Sequence, residues 1–110
     1  MLTARHEFDF AEIGRDVLAR VDALARHSDS PAHYTRIWLS PAHRAAAAQL
    51  GEWMREAGMA VRTDGAGSVI GRYEGASPGA KALVTGSHYD SVRNGGKYDG
   101  VLGILVPIAC

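Results

Sequence analysis

Three side chains that can bind a metal ion lie close together in residues 85–100, a glycine-rich segment that follows an apolar run. His88 and Asp90 are two residues apart, so in an extended chain their side chains point to the same side. Asp99 follows across a loop containing Asn94-Gly95-Gly96, where the backbone can turn back towards His88. The spacing is typical of half a metal site at a strand end, and an Asx-rich surface loop is the open alternative.

Two other kinds of site are weaker interpretations of the same segment. A nucleophilic triad of Ser87, His88 and Asp90 would need a hydrogen bond between neighbouring side chains that a strand directs to opposite faces. A phosphate-binding loop would need Ser or Thr after Lys97, where this chain has Tyr98. Gly100, directly after Asp99, instead permits a close backbone approach, which favours the metal-site interpretation.

Two amphipathic helices precede this segment. Asp9 and Glu12 form a capping-box pattern for a first helix that runs to about Arg26. Ser40-Pro41 begins a second helix, with a capping hydroxyl followed by proline at the first helical position. Gly58 ends this helix in a left-handed conformation. Both helices carry an apolar stripe at helical spacing, which predicts one buried face for each.

Short strands are predicted after the second helix. Residues 59–63 and 68–74 have strand patterns and are separated by a turn at 64–67. Residues 82–85 are apolar almost throughout, as expected for a third strand covered on both faces. Residues 100–109 predict a buried helix. The order of elements predicts a single α/β domain.

Structural rather than catalytic roles are predicted for the histidines of the first half and for the polar residues beside them. His27 and His33 lie in or beside a loop and are expected to be solvated. His43 and Arg44 fall in the first turn of the second helix and are also expected to be exposed. Thr35-Arg36 is expected to anchor the loop to the body of the protein.

Composition excludes several classes of function. The 12 Lys and Arg residues balance 12 Asp and Glu residues, so no basic excess exists to bind nucleic acid. The longest apolar run, 101–110, is too short to span a bilayer, and residues 1–10 carry charges where a signal peptide needs apolar residues. With one cysteine, Cys110, we expect a reducing cytoplasm. Because the chain stops within an apolar segment, we expect it to be the N-terminal piece of a longer polypeptide.

The central motifs resemble those of a known family. The matching residues are Gly86-Ser87-His88-Tyr89-Asp90-Ser91, Asn94-Gly95-Gly96, Tyr98-Asp99-Gly100 and Leu102-Gly103. They are similar to the dinuclear-metal amidohydrolases of the M20 superfamily, and the short loop between His88 and Asp99 is similar to the hydantoinase/carbamoylase branch. Upstream motifs such as Ser40-Pro41-Ala42-His43-Arg44 most resemble allantoate amidohydrolases. The resemblance covers essentially the whole chain.

The resemblance implies a fold, an activity and residue roles. Residues 1–110 would be the N-terminal part of a zinc-exopeptidase-like catalytic domain with a mixed sheet flanked by helices. His88 would bind one metal ion, Asp99 would bridge two, and Asp90 would orient His88 as a catalytic carboxylate. Two divalent ions per full-length subunit, Zn²⁺ or Mn²⁺, would activate a water that attacks a ureido carbonyl. The partners implied are a small ureido substrate and a second copy of the full-length chain, with no nucleic acid or membrane.

Allantoate, hydrolysed to ureidoglycine, ammonia and carbon dioxide in purine catabolism, is the first candidate substrate. N-carbamoyl-L-amino acids are the alternative, with a β-ureidopropionase-like activity beside them. The family's glutamate pair, its later histidine ligands and its smaller domain are expected beyond Cys110, so the fragment alone is expected to be inactive. Ser68 also stands where the family often has Asn, which predicts only a local change. From another class, a standalone non-catalytic binding module remains open.

Overall fold

The computed structural model describes residues 7–110, which form three helices and a two-stranded sheet. The prediction made for the charged N-terminal residues falls partly on residues 1–6, which lie outside the described part. The helices are α1 (Phe10–Ala25), α2 (Pro41–Glu56) and α3 (Leu102–Ala109), and the strands are β1 (Ala60–Thr63) and β2 (Val69–Arg72). The predicted mixture of helices and strands is confirmed.

Helix α1 begins where the sequence predicts. The Asp9 carboxylate accepts hydrogen bonds from the backbone N–H groups of Ala11 and Glu12, each at 3.0 Å, which satisfies two free donors of the first turn. Val17, Val21 and Leu24 are buried along one face. This face packs against α3, so the N-terminal helix and the segment that follows Asp99 share one core.

Helix α2 packs on the hairpin that follows it. Ser40 accepts a hydrogen bond from the His43 N–H at 3.1 Å, Pro41 occupies the first turn, and Gly58 ends the helix with a φ of 90°. Strands β1 and β2 are antiparallel and pair Ala60 with Arg72 and Thr63 with Val69. The predicted strands and the turn between them are therefore confirmed, with shorter strands than the patterns indicated.

The close fit between α2 and the hairpin depends on Gly71. A Cβ atom on this residue would lie 2.8 Å from the sulfur atoms of Met54 and Met59. Glycine in a strand interior often marks such a close approach. The two methionines therefore pack directly over the strand backbone.

The third predicted strand is wrong for the described residues. Residues 82–85 form no strand, and Leu83 and Val84 are 96% and 87% exposed. A strand needs a neighbour that accepts and donates backbone hydrogen bonds. Within residues 7–110 the sheet consists of β1 and β2 only, and it does not extend to this segment. No part of the described chain covers this apolar segment.

The buried helix predicted at 100–109 is confirmed as α3. Leu105 and Ile108 of α3 are buried, as is Val101 before it, and Pro107 lies within its last turn. The core also contains residues of α1 and α2: Val17, Val21, Leu24, Ala46, Leu50, Trp53 and Met54. In residues 7–110 no helix is both long and apolar enough to cross a bilayer.

Candidate functional site

His88 lies between the two aspartates that the sequence singled out. Its Nδ1 is 3.2 Å from Asp90 Oδ1 and 3.0 Å from the Asp90 carbonyl oxygen, and its Nε2 is 3.7 Å from Asp99 Oδ1. The three side chains are between 43% and 70% exposed. The fold therefore brings the three predicted site residues together at one place on the surface.

The two nitrogens of His88 have different surroundings. With its proton on Nδ1, the ring donates to Asp90 and presents the Nε2 lone pair on the side of Asp99. A carboxylate on one ring nitrogen commonly fixes the tautomer of a histidine whose other nitrogen binds a metal. Within residues 7–110, no three or more His, Cys, Asp or Glu side chains are arranged to hold one ion together. The Asp90 carboxylate contacts Nδ1. Nε2 and the Asp99 carboxylate therefore remain as the two groups that face each other.

Gly100 makes the approach of Asp99 to His88 possible. Its φ is 76°, and a Cβ atom there would lie 2.5 Å from His88 Cε1 and 2.6 Å from both Nε2 and the carbonyl oxygen. No side chain fits at these distances, and L residues rarely adopt this backbone conformation. The close approach predicted from the sequence is confirmed.

Tyr89 anchors the chain between the two site residues. Its hydroxyl donates to the Gly67 carbonyl oxygen at 2.7 Å, and its ring stacks on His43 with centroids 4.1 Å apart and planes 10° apart. Tyr89 is buried, whereas His88 and Asp90 on either side of it reach the surface and contact each other. Burial of the middle residue thus directs its two neighbours outward together.

The loop after Asp90 is fastened to the segment before α2. Ser91 donates its N–H to the Arg36 carbonyl oxygen at 2.8 Å, and Asn94 donates its N–H to Thr35 Oγ1 at 2.9 Å. Asn94 has a φ of 53°, a left-handed conformation that this residue type tolerates and that turns the loop. The same two residues hold loop 27–31: the Asp29 N–H donates to the Thr35 carbonyl oxygen at 2.7 Å, and Arg36 Nη1 donates to the His27 carbonyl oxygen at 3.0 Å, which confirms the predicted anchoring role.

The prediction that His43 is exposed was wrong. Only 3% of its surface is accessible, because Tyr89 covers the ring, whereas Arg44 beside it is exposed as predicted. Burial lowers the pKa of His43, and the nearby Asp90 carboxylate partly opposes that shift. Sequence reasoning had no local signal for this contact, since first-turn helix residues are usually solvated and Tyr89 is distant along the chain.

The residues do not form the nucleophilic triad. Ser87 lies against α3, where a Cβ atom on Gly103 would be 2.9 Å from Ser87 Oγ. His88 instead contacts Asp90 and approaches Asp99. Neighbouring side chains therefore have different contacts, as the alternation of an extended chain predicts.

A groove of about 1250 Å³ opens beside the site. Apolar side chains of α2 and α3 line it, among them Leu50, Met54 and Ile104, together with segment 74–88. His88 and Asp90 also line it, whereas Asp99 does not. Two of the three site residues are thus on the wall of a large concave surface.

The chain is similar to curated enzymes of one kind. No protein-family model matches it. It is 52% identical over 73 residues to an N-carbamoyl-L-amino-acid amidohydrolase of Pseudomonas sp. (strain NS671), an alignment that covers 66% of this chain and 18% of that enzyme. It is 37% identical over 105 residues to an allantoate deiminase of Arabidopsis thaliana, covering 96% of this chain and 20% of that enzyme.

A solved structure agrees with these relatives. The fold matches a hydantoinase/carbamoylase family amidase from Burkholderia ambifaria with a TM-score of 0.77 at 32% identity, covering 84% of this chain and 23% of that one. The chain is a homologue of the hydantoinase/carbamoylase family amidases. It spans about one fifth of the length of the curated relatives it matches. The resemblance stated from the sequence motifs is therefore confirmed.

Proposed function

We propose that this chain forms the N-terminal portion of the catalytic domain of an amidohydrolase that cleaves a linear amide or ureido C–N bond. The observation that supports this most directly is the position of His88, with Asp90 at one ring nitrogen and Asp99 near the other. The homology to amidases gives this arrangement its chemical interpretation.

The donor atoms suit a divalent cation. Imidazole nitrogen and carboxylate oxygen each bind Zn²⁺ at about 2.0–2.2 Å, so a separation of 3.7 Å between His88 Nε2 and Asp99 Oδ1 lets both reach one ion. The same donors also suit Mn²⁺. His88 and Asp99 are therefore the residues of this chain that would hold the proposed metal pair, His88 as a ligand of one ion and Asp99 as the bridging carboxylate.

Each residue has a separate task in the proposed reaction. The bound metal pair supplies Lewis-acid activation of water and of the ureido carbonyl. Asp90 holds the proton of His88 on Nδ1 and thereby keeps Nε2 available as a ligand. Asp99 offers one oxygen on the side of His88, and Gly100 allows it to approach that closely.

Two substrates are candidates, and each has an observation in its favour. Allantoate is the first, because the similarity to the allantoate deiminase of Arabidopsis thaliana extends over 96% of the chain. An N-carbamoyl-L-amino acid is the second, because the sequence identity to the N-carbamoyl-L-amino-acid amidohydrolase, 52%, is higher than the 37% to the allantoate deiminase. Both carry a ureido group, so the same cleavage would serve either.

The test is a hydrolysis assay of the complete protein that contains this chain, with allantoate and with N-carbamoyl-L-amino acids, and with the bound metal quantified. We expect release of ammonia or of the free amino acid, together with bound Zn²⁺ or Mn²⁺. His88→Ala should lower the metal content and abolish activity, whereas His33→Ala, a change at an exposed loop histidine, should keep both. A wild-type protein that binds no metal and cleaves neither substrate would support the non-catalytic binding module instead.

The assembly and compartment stay predictions within this proposal. We expect the complete protein to form a homodimer, which light scattering of the purified protein measures. We expect it in a reducing cytoplasm, in agreement with its single cysteine, Cys110, in these residues. Fractionation of cells that express the complete protein measures the compartment.

A further inference from the structure

Arg36 is the largest side chain that is completely buried in the described chain. Its exposed fraction is 0%, although arginine is rarely buried to this extent. Burial lowers its pKa, because water no longer stabilises the charge. One guanidinium nitrogen, Nη2, has no hydrogen-bond partner within residues 7–110. An apolar side chain would fill the same space at a smaller cost in free energy, so simple packing does not account for this residue.

The guanidinium joins the end of α1 to the site segment. Arg36 Nη1 donates to the carbonyl oxygens of Leu24 and His27, at 2.8 and 3.0 Å, and Nε donates to that of Tyr89 at 2.6 Å. The last carbonyls of a helix are free acceptors and carry partial negative charge, which stabilises a cation there. The side chain therefore connects a rigid helix end to the residue between His88 and Asp90.

The backbone of Arg36 holds the same segment at a second point. Ser91 donates its N–H to the Arg36 carbonyl oxygen at 2.8 Å, and the Arg36 N–H donates to Ser91 Oγ at 2.9 Å. Arg36 thus binds the residues on both sides of Asp90. Asp90 has little freedom to move along the chain, and its carboxylate contacts His88 Nδ1.

We propose that Arg36 is a positioning residue that sets the orientation of the His88–Asp90 pair through Tyr89 and Ser91. Because Arg36 is completely buried, it acts through these two residues rather than by its own contact with a metal ion or substrate. Its contribution is to hold Asp90 where it orients the His88 ring, and hence Nε2 towards Asp99. This inference rests on the proposed function, in which His88 is a metal ligand.

The test compares Arg36→Met and Arg36→Lys in the complete protein. The metal-free proteins are titrated with Zn²⁺ and with Mn²⁺, and kcat and KM are measured for both ureido substrates. Because partners of metal-binding histidines affect metal affinity by about 10- to 100-fold, we expect Arg36→Met to weaken metal binding by that factor and to lower kcat. Lys keeps the charge but has a single nitrogen in place of Nε and Nη1, which bond the carbonyls on opposite sides, so Arg36→Lys should recover only part of the loss.

Two matched controls separate positioning from stability. Arg44→Met makes the same chemical change at an exposed position on α2 and should leave metal affinity and kcat unchanged. Val21→Ala removes apolar contact at a fully buried position of α1, so it should lower the melting temperature yet keep metal affinity. If Arg36→Met does not fold, Arg36→Lys and Ser91→Ala provide the same measurement.

Amide exchange of Tyr89 and Ser91 in the metal-free protein distinguishes the possible failures. Faster exchange in the Arg36 variants together with weaker metal binding supports the proposal. Metal affinity and kcat within twofold of wild type in both Arg36 variants overturn it, even where exchange is faster. If the wild-type protein binds no metal and hydrolyses nothing, the proposed function fails, and Arg36 is then a structural residue only.

Discussion

At the scale of single residues, the site depends on which carboxylate faces which nitrogen of His88. Asp90 lies at Nδ1, and Asp99 lies on the side of Nε2. Within the proposed function, this difference gives an orienting role to the first carboxylate and a ligand role to the second. The two aspartates are therefore not interchangeable, and their substitutions should have different consequences.

The first prediction concerns those two aspartates. In the complete protein, Asp99→Ala should abolish hydrolysis and lower the metal content, because the carboxylate proposed to bridge two ions is removed. Asp90→Ala should weaken metal binding by about 10- to 100-fold without preventing it. Metal analysis and an activity assay measure both. Full activity of Asp99→Ala would contradict the bridging role.

The second prediction concerns Gly100. Gly100→Ala should lower the free energy of unfolding by more than about 1 kcal/mol, because alanine is strained at a positive φ. It should also displace His88, since the new Cβ would meet the ring. Denaturant unfolding and metal titration measure the two effects. Gly14→Ala is the control, as a Cβ there meets no atom within 4 Å. Unchanged metal affinity in Gly100→Ala would contradict the close approach.

The third prediction concerns His43. Burial holds its pKa in the folded state below the ordinary value of about 6.5, with Asp90 and Asp29 opposing the shift and Arg36 adding to it. The unfolded chain therefore binds more protons as the pH falls. The resulting stability is present above about pH 6.5 and is lost as the pH falls through the pKa of the folded state.

His43→Phe keeps an aromatic ring on Tyr89 and removes this titration. Its free energy of unfolding should fall less than that of the wild type between about pH 7.5 and pH 5, as urea unfolding at both values measures. His33→Gln, at an exposed loop histidine, should keep the wild-type dependence. An identical pH dependence in His43→Phe and wild type would show that His43 does not contribute to it.

At the scale of elements, the structure divides into a packed part and an uncovered part. The three helices and the hairpin bury one core, with α1 against α3 and α2 against both strands. Segment 82–85 has the composition of a buried strand but is exposed in the described chain. Its apolar side chains and backbone groups are therefore available to pair with another strand.

The fourth prediction concerns this segment. In the 110-residue chain, the amides of Leu83 and Val84 should exchange rapidly, because they have no strand partner within residues 7–110. In the complete protein they should exchange far more slowly, as expected if residues 82–85 then pair within the catalytic domain. Strand β2 is the internal control, since it is already paired. Equally fast exchange in both proteins would contradict strand formation.

At the scale of the whole molecule, the chain supplies one part of the proposed metal site. His88 and Asp99 are the pair proposed to bind metal, and a stable dinuclear site needs more ligands than two. The alignments cover about one fifth of each curated relative. The proposed activity accordingly belongs to the complete protein.

The fifth prediction follows at this scale. The 110-residue chain, supplied with Zn²⁺ or Mn²⁺, should hydrolyse neither allantoate nor N-carbamoyl-L-amino acids. The complete protein serves as the positive control under the same conditions. Turnover by the isolated chain would show that residues 1–110 suffice for catalysis and would overturn the division of the site proposed above.

Local patterns in the sequence were sufficient to predict much of the fold and to predict which residues gather at the candidate site. The cap at Asp9, the helix start at Ser40 and the left-handed Gly58 depend on residues within a few positions of each other. The gathering of His88 and Asp99 could also be predicted, because the intervening loop is short and rich in glycine. Helical and strand periodicities arise from backbone geometry, which each short segment carries in itself.

Only the tertiary structure decided the contacts between distant segments. It buried His43 under Tyr89, placed the Arg36 guanidinium among three carbonyls, and gave segment 82–85 no strand partner among residues 7–110. Such outcomes depend on which surfaces meet after folding, and no local pattern encodes the partner. For the same reason the sequence predicted that three residues gather, whereas the structure decided which nitrogen of His88 each aspartate faces.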